Sequence, residues 1–188
     1  MAKPLRALQN WIGELFTRTA LEHDGRWKDR DVMIVAHRGA ACDHPENTIA
    51  SLDAAIDCHK CAAVEIDLCF TRDGHVVLWH DWDPNDAISL ARQSGFEEAV
   101  RCRPSAPGIG SPFRRPVHEL DLDDLRTHYG YGVKSMAFEK VEADIPTLDE
   151  FFTWATKRGD VKHVHFDIKI PPGLPEYVER MMACIDEL

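Results

Sequence analysis

Residues Ala63–Asp81, AVEIDLCFTRDGHVVLWHD, contain the pattern on which our prediction of the fold rests. Apolar runs on either side of a Thr-Arg-Asp-Gly turn at 71–74 predict two strands joined by that turn. Glu65 and Asp67 interrupt the first run, and residues two apart on a strand point to the same face. Two unpaired carboxylates are costly in a core, and a hard cation such as Mg²⁺ or Ca²⁺ would remove that cost. The alternative is an edge strand whose two acids are solvated.

The composition favours one well-buried acidic domain. The chain has 188 residues, of which 44% are hydrophobic, and this suffices for a single core. Its formal net charge is −10 and no basic patch stands out, so nucleic acid is not expected as a partner. An anionic substrate is compatible with this charge if a bound metal supplies local positive charge.

Cysteine usage predicts a reducing, cytoplasmic location. The six cysteines are scattered, at positions 42, 58, 61, 69, 102 and 184. Cys58 and Cys61 form a C-x-x-C pair, but a zinc site needs about four ligands and no second pair accompanies this one. Free thiols are therefore favoured over a zinc or redox site. No apolar run approaches the roughly 20 residues of a membrane span, so no transmembrane segment is expected.

The chain divides into a leading helical segment, 1–31, and a domain, 32–188. Apolar residues of the leading segment follow helical spacing and polar residues interrupt them, which favours a docked helix over a signal peptide. A membrane-surface helix is the alternative. The stretch 81–118 is predicted to be a long irregular loop, either a lid over a site or a solvated insertion. Strands are predicted at 33–37, 64–70, 76–80 and 163–169, and helices at 49–58, 87–99, 120–128, 148–158 and 175–188.

Residues with chemically capable side chains come at the ends of the predicted strands. They are His37, the pair Glu65 and Asp67, His80, and the pair Asp167 and Lys169. In a parallel α/β barrel the carboxyl ends of the strands carry the active site. Four strands that all end in this way are hard to explain by packing alone, so the pattern favours a catalytic α/β fold.

These residues also fall within an ordered series of short motifs. Along residues 33–170 the chain has His37-Arg38-Gly39, Pro45-Glu46-Asn47-Thr48, Glu65-x-Asp67, Thr71-Arg72-Asp73-Gly74, His80-Asp81, Ile145-Pro146-Thr147-Leu148 and Asp167-Ile168-Lys169. The first motif alone is weak, but the series in this order is specific and resembles the glycerophosphodiester phosphodiesterase family. The resemblance implies an α/β fold of the TIM (β/α)8 barrel type, of which this chain supplies only about the first four strands.

The resemblance implies a metal-dependent enzyme that hydrolyses small-molecule glycerophosphodiesters to glycerol 3-phosphate and an alcohol. One divalent metal ion, Mg²⁺ or Ca²⁺, is implied as the cofactor. Cations can stabilise charge on phosphate oxygens, and two imidazoles with pKa values near neutrality can share the proton transfers. The residues implied by position are Glu65, Asp67 and Asp167 for the metal, His37 and His80 for acid–base catalysis, Arg38 and Lys169 for the substrate phosphate, and Glu46 as support.

Two features of the chain leave alternatives open. The family usually has Glu where Asp167 stands, so the third carboxylate is one methylene shorter here. A barrel needs eight strands and about 250 residues, so a four-strand chain predicts an incomplete barrel whose open edges favour self-association. The alternatives are a related barrel phospholipase that acts on lysophospholipid or sphingomyelin headgroups, and a catalytically silent truncated fragment.

Overall fold

The computed structural model describes residues 33–97, 99–134, 139–169, 171 and 175–186. The predicted leading segment and the last two residues of the predicted final helix lie outside them. From Ile34 onward the described residues belong to one compact unit. In chain order the elements are β1 (Val35–His37), α1 (Ile49–Asp57), β2 (Ala63–Phe70), β3 (Val76–Leu78), α2 (Ala87–Gln93), β4 (Cys102–Ser105), a 3₁₀ helix (Val117–Glu119), α3 (Leu122–His128), β5 (Gly130–Val133), β6 (Glu139–Val141), α4 (Leu148–Ala155), β7 (His163–Ile168) and α5 (Pro175–Asp186).

Strand β2 is the centre of the first sheet. β1 and β7 run parallel to it on opposite edges, because both pair with its residues 63–65. β3 runs antiparallel and pairs with residues 68–70, on the same edge as β1. The prediction that 76–80 is a further barrel strand is therefore wrong: β3 is the returning arm of a hairpin. The turn at 71–74 is too short for the crossover of a dozen or more residues that parallel strands require.

A second sheet has the antiparallel order β4-β5-β6. It brings the strands of the described residues to seven, where the sequence predicted four. The predicted loop 81–118 contains the predicted helix, here α2, but also β4 and the 3₁₀ helix, so the expectation of an otherwise irregular stretch is corrected. Helix α2 is shorter than predicted, and Gly95 follows it with a φ of +84°, a conformation that helices do not continue through.

The apolar face of β2 forms the main core. Val64, Ile66 and Leu68 are fully buried, on the face opposite Glu65 and Asp67. Each contributes about 1.5–3 kcal/mol by leaving water. The alternation predicted from the sequence is therefore confirmed, with the apolar face against helices. The residues from α1, α4 and α5 in the same cluster are Leu52, Ile56, Leu148, Phe151 and Met181.

A second core lies where the hairpin meets the second sheet. Trp79 is 2% exposed, and its ring centroid lies 5.2 Å from that of Tyr131 on β5. Leu125 and Ile145 are buried in the same cluster. This packing fixes the segment that leaves β3, and so fixes the position of His80.

Two helices begin with capping boxes. Ser51 N–H donates to Thr48 Oγ1 (3.2 Å), and Thr48 N–H donates to Ser51 Oγ (3.3 Å). At α4, Glu150 N–H donates to Thr147 Oγ1 (3.2 Å), and Glu150 Oε2 accepts from Thr147 N–H (2.7 Å). The second box was predicted from its spacing and is confirmed.

Two observations concern the membrane and the thiols. Within the described residues, no helix combines the length and the apolar character needed to cross a membrane. All six cysteines are described and are free thiols; Cys69 and Cys102 are buried, whereas Cys42 and Cys58 are exposed.

Candidate active site

Three carboxylates lie together on adjacent strands. Glu65 and Asp67 project from one face of β2, and Asp167 of β7 is the register partner of Asp67. One oxygen of each lies within 4.8 Å of the others. Asp67 is fully buried, Glu65 is partly buried and Asp167 is exposed. The structure thus brings together the three residues predicted as metal ligands, and their role as ligands stays a prediction.

The surroundings of Glu65 disfavour the ionised form of its carboxyl group. Burial, and then the negative charge of Asp67, raises the pKa of Glu65 to about 7. The backbone N–H of Arg38 donates to Glu65 Oε2 (2.9 Å) and offsets part of this increase in pKa. A nearby divalent cation would stabilise the ionised form that this environment disfavours.

Asp67 is fixed through one of its two oxygens. Asn47 Nδ2 donates to Asp67 Oδ2 (2.8 Å), and Arg38 Nε lies 3.0 Å from the same oxygen. Oδ1 is buried and accepts no hydrogen bond within the described residues, although Lys169 Nζ lies 3.4 Å from it. Oδ1 therefore has lone pairs available to a cation.

Sequence reasoning missed the role of Asn47. Its side chain is fully buried, and its Oδ1 accepts from the backbone N–H of Asp67 (3.1 Å), so its amide both donates to and accepts from that residue. Its φ is +54°, a left-handed conformation that Asn adopts more readily than most residues. The available signal was its place in the Pro-Glu-Asn-Thr motif, which does not show that its amide reaches a strand 20 residues later.

Arg38 lies among acidic side chains. It is 7% exposed, and its Nη1 lies 3.2 Å from Glu46 Oε2 and 3.7 Å from Glu97 Oε1. Its Nε is 3.0 Å from Asp67 Oδ2. These acids hold the guanidinium beside the carboxylate cluster, and its predicted contact with a substrate phosphate stays a prediction.

Lys169 places a second cation at the cluster. Its Nζ donates to Asp167 Oδ2 (2.6 Å) and lies 3.4 Å from Asp67 Oδ1. Partial burial acts to lower the pKa of Lys169, but the hydrogen bond to Asp167 and the charge of Asp67 outweigh it and raise the pKa. The ammonium group therefore stays charged at neutral pH.

His37 lies at the end of β1, as the register partner of Glu65. Its Nε2 is 3.8 Å from Glu65 Oε2, and its side chain is 69% exposed. Desolvation of its inner side, followed by the charge of Arg38, lowers the pKa of His37 even so. An accessible, neutral imidazole can exchange protons with a bound ligand.

His80 reaches the same site because the hairpin returns along β2. The residue before it, Trp79, donates its N–H to the carbonyl of Asp67 (3.1 Å), so His80 follows at the level of the carboxylates. The charge of His80 contributes to the lowered pKa of His37. Both imidazoles thus lie near the carboxylate cluster, although β3, the strand that leads to His80, is antiparallel rather than parallel as predicted.

Asp81 orients the ring of His80. Its Oδ1 lies 2.6 Å from His80 Nδ1 and also accepts from Arg92 Nε (2.8 Å). Because a carboxylate accepts hydrogen bonds, this contact favours the tautomer with the proton on His80 Nδ1, which leaves Nε2 as the exchanging atom. Asp81 was quoted only as part of a motif, and Arg92 was not predicted at all.

Glu46 pairs with two arginines and is not among the three clustered carboxylates. It is 4% exposed; its Oε2 lies 3.2 Å from Arg38 Nη1, and its Oε1 accepts from Arg92. Burial raises the pKa of Glu46, and the charges of Arg92 and Arg38 offset part of that increase. Its predicted supporting role is compatible with these contacts and stays a prediction.

The sequence matches a known protein family and several known proteins. Residues 37–186 match the glycerophosphoryl diester phosphodiesterase family. The chain is 51% identical over 83 residues to glycerophosphodiester phosphodiesterase 1 of Bos taurus, which covers 42% of this chain and 25% of that protein. It is 26% identical over 125 residues to the uncharacterised protein YqiK of Bacillus subtilis, which covers 66% of this chain and 41% of that protein.

Solved structures share the fold. An Oleispira antarctica phosphodiesterase, solved in complex with the product sn-glycerol-3-phosphate, matches with a TM-score of 0.52 and 25% identity over 80% of this chain and 52% of that one. A glycerophosphoryl diester phosphodiesterase from Parabacteroides distasonis matches with a TM-score of 0.50 and 23% identity over 82% of this chain and 42% of that one.

The chain spans about half the length of these solved structures or less. Its three parallel strands, β1, β2 and β7, are accordingly a part of the barrel that these TIM-barrel proteins contain. The family match extends over most of the chain, from the first histidine of the site to the final helix. On this evidence, the chain belongs to the glycerophosphoryl diester phosphodiesterase family.

Proposed function

We propose that this chain carries the active-site face of a metal-dependent phosphodiester hydrolase that cleaves glycerophosphodiesters to glycerol 3-phosphate and an alcohol. The carboxylate cluster carries the proposal: three acidic oxygens lie within 4.8 Å of one another, beside His37 and at the level of His80. The product bound in the Oleispira antarctica relative supports the substrate class. Because the chain spans only part of its relatives, the activity of the whole protein belongs to the proposal.

The residues of the cluster fit a hard divalent cation. Carboxylate oxygens are the ligands that Mg²⁺ and Ca²⁺ prefer, and the buried Asp67 Oδ1 accepts no hydrogen bond within the described residues. Glu65, Asp67 and Asp167 would hold one such ion. When bound, the ion supplies positive charge for the non-bridging oxygens of the phosphate.

His37 and His80 share the proton transfers in this proposal. One takes a proton from the attacking nucleophile and the other gives a proton to the leaving alkoxide. Each of the two groups contributes about 10²–10⁴-fold. Asp81 fixes His80 so that Nε2 is the exchanging atom, and the ring of His37 is open to solvent. These contacts support both roles without ranking them.

Lys169 and Arg38 supply fixed positive charge to the phosphate. The side chain of Lys169 is 23% exposed and that of Arg38 is 9% exposed. We therefore expect Lys169 to make the more direct contact, with Arg38 acting from within the acidic surroundings that anchor it. For the chain as a whole we propose a cytoplasmic enzyme of glycerol-phospholipid turnover, consistent with its free thiols.

Metal removal and replacement test the proposal. We expect the chelated protein to release no glycerol 3-phosphate from glycerophosphocholine, and added Mg²⁺ or Ca²⁺ to restore release. Asp167→Asn should weaken metal affinity in calorimetry, whereas Asp160→Asn, at an exposed acid that pairs with Arg158, should not. Full activity in the metal-free protein would exclude the metal-dependent mechanism.

The same assay separates the alternatives. Hydrolysis of lysophospholipid without hydrolysis of glycerophosphocholine would identify a barrel phospholipase. Normal metal binding with no hydrolysis of either substrate would identify a catalytically silent fragment.

A further inference from the structure

Arg92 is a buried arginine for which the proposed chemistry gives no direct role. It lies on α2, within the stretch between His80 and the second sheet, and is 3% exposed. A buried guanidinium is unfavourable unless acidic partners satisfy it. The residues that pair with Arg92 therefore indicate its role.

Three acids surround the guanidinium of Arg92. Its Nε donates to Asp81 Oδ1 (2.8 Å), its Nη1 donates to Glu97 Oε2 (2.5 Å), and its Nη2 donates to Glu46 Oε1. Burial acts to lower the pKa of Arg92, but the charges of these acids outweigh burial and raise it. Each of the three guanidinium nitrogens thus donates to a carboxylate from a different segment of the chain.

All three acids also contact residues of the candidate site, Glu97 through its Oε1, which lies 3.7 Å from Arg38 Nη1. Asp81 Oδ1 lies 2.6 Å from His80 Nδ1, and Glu46 Oε2 lies 3.2 Å from Arg38 Nη1. A continuous path of hydrogen bonds therefore runs from His80 through Asp81, Arg92 and Glu46 to Arg38. The guanidinium of Arg92 thus connects Asp81, which orients His80, with Glu46, which pairs with Arg38.

We propose that Arg92 is a positioning residue that holds His80, through Asp81, and Arg38, through Glu46, in a fixed relation to each other. This inference rests on the proposed function, because the positions of His80 and Arg38 matter for catalysis only if both act in the proposed hydrolysis. Lysine keeps the charge but lacks the planar fork that donates in three directions. Arg92→Lys therefore cannot maintain all three contacts at once.

Arg114 offers a matched control for a purely structural role. Its Nη2 donates to Pro84 O (2.7 Å) and Gln93 Oε1 (3.0 Å), and its Nε donates to Asn85 Oδ1 (2.8 Å). It fastens the same segment as Arg92, and within the described residues its hydrogen bonds go to none of the site acids. If Arg92 only fastened α2, Arg92→Lys and Arg114→Lys would act alike.

The kinetic experiment uses the full chain with metal added. We expect Arg92→Lys to lower kcat for glycerophosphocholine by about 10–100-fold, the usual effect of losing a group that orients a site residue. KM should change less than kcat, since Lys169 keeps its place beside the cluster, and metal affinity should change little, since the three carboxylates are retained. Arg114→Lys should keep the wild-type kcat. A wild-type kcat in Arg92→Lys, or an equal loss in Arg114→Lys, would overturn the proposal.

A spectroscopic readout separates this inference from the proposed function. In ¹⁵N NMR at a pH where His80 is neutral, we expect the Nδ1-protonated tautomer in wild type and Arg114→Lys, and a tautomer mixture in Arg92→Lys. An unchanged tautomer in Arg92→Lys would contradict the positioning role even if the wild-type chain hydrolyses nothing. Should Arg92→Lys fail to fold, Glu46→Gln keeps the side-chain volume and weakens the Arg38 end; a wild-type kcat there would equally overturn the proposal.

Discussion

At the scale of single residues, Gly39 is a position where the structure leaves no room for a side chain. Its φ is +79°, and a Cβ built on it would lie 2.4 Å from Ser51 Oγ and 2.7 Å from Ser51 C. Gly74 has a φ of +95° but open space around it. We expect Gly74→Ala to lower the free energy of unfolding by about 1–2 kcal/mol through backbone strain alone. Gly39→Ala should lower it by about 3–5 kcal/mol, because overlap with the backbone of α1 is added.

Urea unfolding of the two variants measures this difference. Both substitutions add one methyl group at a left-handed position, so the excess loss at Gly39 reports the overlap with Ser51. Equal losses in the two variants would show that the chain shifts to accommodate the methyl group, and that the close approach of the backbone to α1 is not required.

The sequence predicted the site residues whose positions follow from local periodicity. Glu65 and Asp67 share a face because they alternate along one strand, and the structure confirms that face. Asn47 and Arg92 could not be predicted, because their contacts with Asp67 and Glu46 span 20 and 46 residues. No local pattern encodes which distant acid will meet an amide or a guanidinium.

At the scale of elements, the apolar runs of the sequence predicted the positions of strands better than the directions in which they run. The apolar run of β3 predicts a strand, but only the short turn before it shows that the strand must return antiparallel. β4 was missed because its residues, CRPS, include a proline that cannot donate to a ladder. Its pairing with β5, residue for residue from Cys102↔Val133 to Ser105↔Gly130, stabilises it against that local preference.

Thiol labelling tests whether β4 is a strand or part of an irregular loop. Cys102 is 4% exposed in β4, and burial raises the pKa of its thiol, so it should react slowly with iodoacetamide. Cys42 and Cys58 are exposed and should react first in the same sample, as internal controls. Mass spectrometry of labelled peptides would show protection at Cys102 that denaturant removes. Labelling of Cys102 as fast as Cys42 would contradict the second sheet.

At the scale of the whole molecule, the first sheet contains three parallel strands of a barrel type that needs eight. Within the described residues, β1 and β7 each pair with β2 alone and leave an open edge. The residues His163, His165 and Asp167 on the inner face of β7 are exposed. The barrel fold could be predicted from the motif series, whereas the number of its strands in this chain could not, because the hairpin and the second sheet contribute strands of their own.

Open edges with apolar residues lead to a prediction of self-association. Ile34, next to β1, is 56% exposed, and Val35 is 38% exposed. Unpaired strand edges and exposed apolar residues favour association between chains. We therefore expect the mass of the 188-residue chain, measured by light scattering, to rise with concentration. Ile34→Lys should reduce this rise, because a charge at the edge opposes strand pairing.

Ile109 provides the matched control. It is 93% exposed, outside the first sheet, so Ile109→Lys adds the same charge and removes the same side chain without touching the β1 edge. If the chains associate through the β1 edge, Ile34→Lys should reduce the rise in mass with concentration and Ile109→Lys should not. Equal effects would attribute the association to net charge, and a monomer at every concentration would mean that the open edges of β1 and β7 are insufficient to hold two chains together.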